Sequence, residues 1–285
     1  MRNYHHHNHH TEKNTYGYHK LYTLSTISHD IITIPITHNV HLENMNLTEI
    51  TGEAGSGKTQ FCIHIILCTI LPKSISCLQQ GCLYISTVQK LSETRFNQFF
   101  NTYASLLSDK EQQLALMRLF HKHFNPNEFE KFFSIEIEKF IVDNSIKTII
   151  IDSITGIADT QFIEDNNEVN YKERSKFLKI YLRLFKELIV KYNLFFFVTN
   201  NVSANLNEGN DAAKPCLGKL WENGVNTRIL LIKEKKEILS DYNNNSTNIN
   251  AKESVSRTMR VSFGSYLHCK DIKFELNQSG IQFMN

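Results

Sequence analysis

Short apolar runs alternate along most of this chain with longer stretches in which apolar residues recur at helical spacing. Leu47 to Thr51, Cys82 to Thr87, Thr148 to Asp152 and Leu194 to Thr199 are brief and rich in β-branched or aromatic residues, the pattern of strands covered on both faces. Between them, Gln60 to Leu71 reads as a buried helix, and 92–107 and 109–123 as two more. Residues 127–144 place Phe129, Phe132, Phe133, Ile137, Phe140 and Ile141 along one side of a helix. Tyr171 to Lys191 is amphipathic, with Phe177, Leu178, Tyr181, Leu182, Phe185, Leu188 and Ile189 recurring every three or four positions. Strand and helix in alternation predict an α/β fold, a mostly parallel sheet with helices on both faces.

The rhythm changes after residue 225. Arg228 to Ile232, Thr258 to Phe263 and Ile272 to Leu276 read as strands without long helices between them, which predicts an antiparallel C-terminal extension of the sheet. Asp241 to Asn250 is an Asn-rich insertion, read as a solvated hairpin loop. At the other end, residues 1–20 are polar and carry His5, His6, His7, His9 and His10. Such a cluster binds metal in vitro, but low-complexity disorder is the simpler reading. Residues 21–46 are rich in Thr, Ile and His and suit one or two edge strands. The division is therefore a disordered tail over 1–20 and one core domain over 21–285.

Composition narrows the function classes. A net charge of +2 leaves no electrostatic footprint for nucleic acid beyond a local patch. The six cysteines (Cys62, Cys68, Cys77, Cys82, Cys216 and Cys269) form no C-x-x-C pair, which favours free thiols in a reducing compartment over zinc or disulfides. The longest apolar run, Phe61 to Leu71, is too short to span a bilayer, so no membrane association is expected.

The chemistry is concentrated in Gly52, Glu53, Ala54, Gly55, Ser56, Gly57, Lys58 and Thr59, a complete phosphate-binding loop of the form G-x-x-x-x-G-K-T. Average composition produces this pattern by chance in about one chain in a hundred of this size. The loop lies where a strand should turn into a helix, so its N–H groups would face phosphates at a helix N-terminus. Lys58 would reach the phosphates and Thr59 would hold Mg²⁺. A glycine turn without a ligand has no use for Lys-Thr at the start of a helix. Further on, Ile149, Ile150 and Ile151 lead into Asp152, an acid at a strand tip suited to holding Mg²⁺ through water. Capping the next turn is its alternative role.

These segments together resemble the RecA-like recombinases of eukaryotes. Leu47 to Gln60 is similar to that family's phosphate loop, Ile151 to Ile154 to its second motif, and Phe197 to Val202 to its Thr-Asn-Gln-Val strand end. Pro215 to Arg228 resembles a segment Pro-x-Leu-Gly-x-x-Trp followed by Thr-Arg, and Arg257 to Phe263 resembles a late strand. The resemblance covers roughly residues 45 to 285. It implies a RecA-type P-loop ATPase core that binds ATP and Mg²⁺ and works in the nucleus. Gln60 would join the nucleotide site. Arg95 would stack on adenine, or be an ordinary surface arginine.

The departures from the family pattern are informative. Where the family has a water-activating Glu after the strand, Thr87 is followed by Val88, which accepts no proton. Glu93 lies on a different element and is a poor substitute. The family's γ-phosphate-sensing Gln becomes Asn201, one methylene shorter. The segments where the family contacts DNA, 157–171 and 203–219, mix acids with bases and form no basic groove. Residues 1–45 have no room for the family's N-terminal helical module and lack its Phe-x-x-Ala linking peptide. The resemblance therefore implies a paralog assisting homologous recombination repair. It would bind ATP and hydrolyse it weakly, act in a heteromeric complex with another recombinase-like protein, and contact single-stranded or branched DNA weakly by itself. The alternative is an active DNA-dependent ATPase that itself promotes strand pairing and exchange. A nucleotide kinase would need an arginine-rich lid, and none is visible.

Overall fold

A computed structural model describes residues 46–75, 77–163, 169–203, 214–237, 253–264 and 271–284. The expectations for the 1–20 tail, the 21–46 edge strands (up to residue 45) and the Asn-rich loop at 241–250 lie outside the described residues.

β1 (Leu47–Gly52) is buried along its whole length and runs into the phosphate loop, from which α1 (Lys58–Ile70) departs. Every residue of α1 from Phe61 to Ile70 is buried. Full burial of an Ile, Leu or Phe side chain is worth roughly 1.5–3 kcal/mol. Packing therefore holds this helix, whose N-cap, Gly57, offers no side-chain cap. A 3₁₀ turn at Lys73–Ile75 leads on to β2 (Gly81–Ser86), α2 (Glu93–Ala104), α3 (Asp109–Leu116) and β3 (Leu119–His123). α4 (Pro126–Lys131), a π-helical turn (Phe132–Glu136) and α5 (Ile137–Asp143) then lead into β4 (Ile146–Asp152) and α6 (Ile154–Gln161). After α7 (Tyr171–Tyr192) come β5 (Phe195–Ser203), the short β6 (Lys214–Pro215), α8 (Gly218–Gly224) and β7 (Thr227–Glu237). The last strands are β8 (Glu253–Gly264), β9 (Asp271–Asn277) and β10 (Gly280–Phe283).

The sheet order is β10-β9-β8-β7-β1-β5-β4-β2-β3, with β6 paired to the end of β5. From β7 to β3 all neighbours are parallel, and β8, β9 and β10 add antiparallel strands. The expected α/β architecture with its antiparallel extension is present. One core lies under α1 and α2 and reaches Phe274 and Phe283. The other, on the opposite face, joins α4 to α8 with Leu83, Ile149 and Phe196.

Two expectations about elements need correcting, and one strand was not foreseen. The helix expected at 109–123 ends at Leu116, and residues 119–123 are a strand. Ser108 and Glu111 cap the helix start reciprocally, which fixes where it begins. Beyond Met117 the chain finds the free edge of β2, and parallel pairing from Cys82↔Leu119 to Ser86↔His123 overrides local helix preference. The helix expected at 127–144 is interrupted by the π turn, which brings Phe132 and Phe133 together into the core. β10 alternates over Ile281, Gln282 and Phe283 but is only four residues long, too short for its period to stand out in the sequence.

Candidate functional site

The parallel strands end on one edge, where α/β sheets bind ligands. Gly52 closes β1 there, and a Cβ on it would sit 2.5 Å from both the Leu231 carbonyl and Ser56 Oγ. Gly57 holds φ +112° at the helix entrance, a conformation that side chains disfavour. The loop therefore needs glycine at both positions, and the first N–H groups of α1 are left without a side-chain cap, the usual anion-binding arrangement.

Lys58 donates to the carbonyls of Gly52 (2.7 Å) and Glu53 (3.0 Å). Burial lowers its pKa, against the opposing pull of Asp152. Thr59 Oγ1 donates to Asp152 Oδ2 at 2.8 Å, so the two expected Mg²⁺ residues meet. Two partners were not anticipated: Tyr84 donates its hydroxyl to the same oxygen at 2.7 Å, and Thr199 donates to Oδ1 at 2.6 Å. Asp152 thus accepts from three hydroxyls. The sequence signal was faint, a hydroxyl inside one apolar run and another just after a second, and which strands flank β4 is a matter of sheet order.

A cavity of about 700 Å³ opens over this edge, lined by Ala54, Gly55, Gly57, Lys58, Thr59 and Gln60 on the loop side and by Asp152, Ser153 and Asn201 at the strand tips. Val88, Gln89, Lys90, Ser92 and Arg95 form its other wall. Val88 is 66% exposed. Its loop is pinned by Thr87, which donates to the Ser153 carbonyl at 2.7 Å and accepts from Ser153 N at 3.0 Å. Gly156 on α6 has no room for a Cβ because Val88 and Thr87 lie against it. Glu93 opens α2 and is not among the cavity's lining residues.

Arg95 does reach the wall, held by Gln60 Oε1 (2.5 Å), Gln98 Oε1 (2.8 Å) and the Asn277 carbonyl (2.6 Å) and lying 4.4 Å above the Phe99 ring. Gln60 therefore both lines the cavity and positions Arg95. A larger groove, about 880 Å³, runs between α7 and α8 around Leu182, Val190 and Leu220. Its surface is mostly apolar, although Lys179, Arg183, Lys186, Glu187 and Lys191 also line it, so the cleft over β1 and β4, with its convergent polar groups, is the better candidate.

A second polar cluster lies deeper, on β1 itself. Glu49 is fully buried. Its Oε1 accepts from Asn200 Nδ2 (2.6 Å) and Trp221 Nε1 (2.8 Å), and its Oε2 from Arg228 Nε. The Trp segment thus closes the fold from inside: the Trp221 ring has no exposed surface to offer a partner. In the first of the expected DNA segments, α6 continues to Gln161 and residues 164–168 lie outside the described residues. Arg174, at its end, is buried and bonded to Asp159 (3.0 Å) and the Cys216 carbonyl (3.0 Å). Residues 204–213 of the second also lie outside.

A family model described as Rad51 matches residues 20–259. The chain belongs to the Rad51 family. It is 29% identical to the DNA repair protein RAD51 homolog 2 of Mus musculus over 227 residues, covering 68% of this chain and 63% of that protein. It is 28% identical to the human RAD51 homolog 2 over 227 residues, covering 68% of this chain and 57% of that protein. With the DNA repair protein XRCC3 homolog of Arabidopsis thaliana, identity is 27% over 271 residues, covering 83% of this chain and 86% of that protein. The chain thus spans somewhat under two thirds of the RAD51 homolog 2 proteins it matches. Membership in this family accords with a RecA-like recombinase paralog of XRCC3 type and with the RecA-type α/β core.

Proposed function

We propose that this protein is an ATP-binding recombinase paralog that assists homologous recombination repair of DNA breaks in the nucleus, holding ATP chiefly as a structural ligand. Its relatives are named as DNA repair proteins, which supports the process. The observation that carries the nucleotide reading is the contact between Thr59 and Asp152 at the mouth of a glycine loop whose lysine, Lys58, is already in place. The residues fit the ligand: a hydroxyl and a carboxylate 2.8 Å apart are hard oxygen donors suited to Mg²⁺, and the uncapped start of α1 suits phosphate. Gly52 to Gln60 would cradle the phosphates, with Arg95 beside the base. Bound Mg²⁺ would neutralise charge on the phosphate oxygens.

Hydrolysis is expected to be weak. Val88 accepts no proton, and Asn201 is a methylene short for the sensor's reach. The partner would be another recombinase-like protein in a heteromeric complex, and contact with single-stranded or branched DNA would be weak without it. Calorimetry with Mg·ATP, followed by turnover with and without single-stranded DNA, tests the proposal. Binding in the micromolar range with turnover near background is expected. Absence of binding by the folded protein sinks the nucleotide reading. Turnover near 1 s⁻¹ or above, the ordinary enzyme range, sinks the weak-hydrolysis reading and restores the active-ATPase alternative.

A further inference from the structure

The cleft's lining residues include three cations, Lys58, Lys90 and Arg95, against one carboxylate, Asp152. Two of the cations are engaged. Lys58 lies on the loop carbonyls of Gly52 and Glu53, and Arg95 is fixed by Gln60, Gln98 and the Asn277 carbonyl. Lys90 is exposed, and it is the cation of the three with no hydrogen bond or ion pair among the described residues.

Its position follows from the sheet. Ser86, the last residue of β2, pairs in register with Asp152 on β4. The next residue, Thr87, is tied to Ser153 in both directions, so the loop from Val88 to Lys90 leaves the sheet from a fixed base beside the Asp152 tip. Lys90 therefore lines the cleft from the loop after β2, with His121 of β3 also within reach of its charge. The lysine of a phosphate loop reaches the β- and γ-phosphates together. A cation on the β2-loop side of the cleft, beyond the strand end that pairs with Asp152, is placed to meet the phosphate farthest from the base. A lysine there is a compact charge on a long flexible stem, able to follow one phosphate group.

We propose that Lys90 recognises the terminal phosphate and makes the cleft prefer a nucleoside triphosphate to the diphosphate. This rests on the nucleotide reading given above. With Val88 in the same loop, the wall holds a cation that binds this phosphate and no general base to activate water against it. The site would report that a triphosphate is present without consuming it.

The test is equilibrium binding of Mg·ATP and Mg·ADP to the full chain, measured by calorimetry for the unsubstituted protein, Lys90→Gln and Lys90→Arg, with thermal melting of each as a folding control. A charge-assisted contact of this kind corresponds to about tenfold in affinity. Lys90→Gln is expected to lose about tenfold for ATP while its ADP affinity changes less than about twofold, and Lys90→Arg to keep most of the preference. Equal losses for both nucleotides would mean that Lys90 acts only through the general field of the cleft, and an unchanged ATP:ADP ratio that it is a solvated lysine; either result overturns the proposal. If the unsubstituted protein binds both nucleotides but does not prefer ATP, this inference fails while the nucleotide reading stands. If it binds neither, both fail.

Discussion

Two carboxylates on the strands that flank β5 illustrate opposite uses of the same group. Glu49, on β1, has no exposed surface and is matched by the Arg228 guanidinium, the Trp221 indole and the Asn200 amide. Asp152, at the tip of β4, lines the cleft and, among the described residues, accepts only hydroxyl donors, from Thr59, Tyr84 and Thr199. A buried carboxylate with a guanidinium against it already has its counter-charge and can only hold the fold. One whose donors are all hydroxyls has no cation bonded to it, so a divalent ion can supply the missing charge. The partners, more than the acid itself, separate a carboxylate already neutralised from one still available.

The largest effect should come from breaking the buried pair. Removing one partner of such a pair leaves the other charge buried and uncompensated, at a cost of about 3–5 kcal/mol. Arg228→Ala should therefore lower the denaturation midpoint sharply, and Glu222, the other acid that bonds Arg228 (3.1 Å), offers Glu49 no counter-charge. Chemical denaturation measures this. A loss below about 1 kcal/mol would show that Glu49 is satisfied without its guanidinium.

The next effect separates binding from folding. Lys58→Ala should weaken Mg·ATP binding at least about tenfold, given roughly 1.5–3 kcal/mol for a charged hydrogen bond, while the melting temperature changes little. Unchanged binding in calorimetry would remove the phosphate-loop assignment. Asp152→Asn keeps the shape and removes the charge. It should abolish the Mg²⁺ dependence of nucleotide affinity and cost the apo fold only about 1 kcal/mol, because the donors lost are neutral hydroxyls. Stability loss on the scale of the Arg228 variant would place Asp152 in the same structural class as Glu49.

A pH titration offers a control from a third buried group. His64, on α1, is held neutral by burial, with its pKa lowered to about 4 from 6.5. The unfolded chain binds a proton in that window and the folded chain does not, so this contribution to stability is complete above pH 6.5 and declines as pH falls toward about 4. His64→Phe should flatten that part of the stability profile, and an unaltered slope would mean that His64 is hydrated. The smallest expected effect is on rate. Val88→Glu should raise ATP turnover only severalfold while Asn201 stays short, though general-base catalysis is typically worth about 10²–10⁴. No rise in a variant that still binds ATP would show that Val88 does not stand where water is activated.

Much of the site could be read from residue order alone. A G-x-x-x-x-G-K-T loop is a local object: its glycines, lysine and threonine are contiguous, and strand-to-helix context supplies the rest. Asp152 was legible because the apolar run of β4 ends on it. Tyr84 and Thr199 were not, since their role depends on β2 and β5 lying on either side of β4. The same holds for β3, where residues with tolerable helix propensity became a strand because an edge was open beside them.

The chain by itself determined the α/β alternation, the antiparallel end of the sheet, the G-x-x-x-x-G-K-T loop and the acid that faces it. These depend on periodicity and on contiguous motifs, which survive without knowledge of what packs where. The tertiary structure alone decided which acid is neutralised and which is available, that Trp221 points inward, that Arg174 is bonded within the fold, and that Lys90 lines the cleft with no ion pair among the described residues. Those outcomes depend on charges and donors brought together from positions far apart in the chain, where sequence order sets no distance and only the sheet order does.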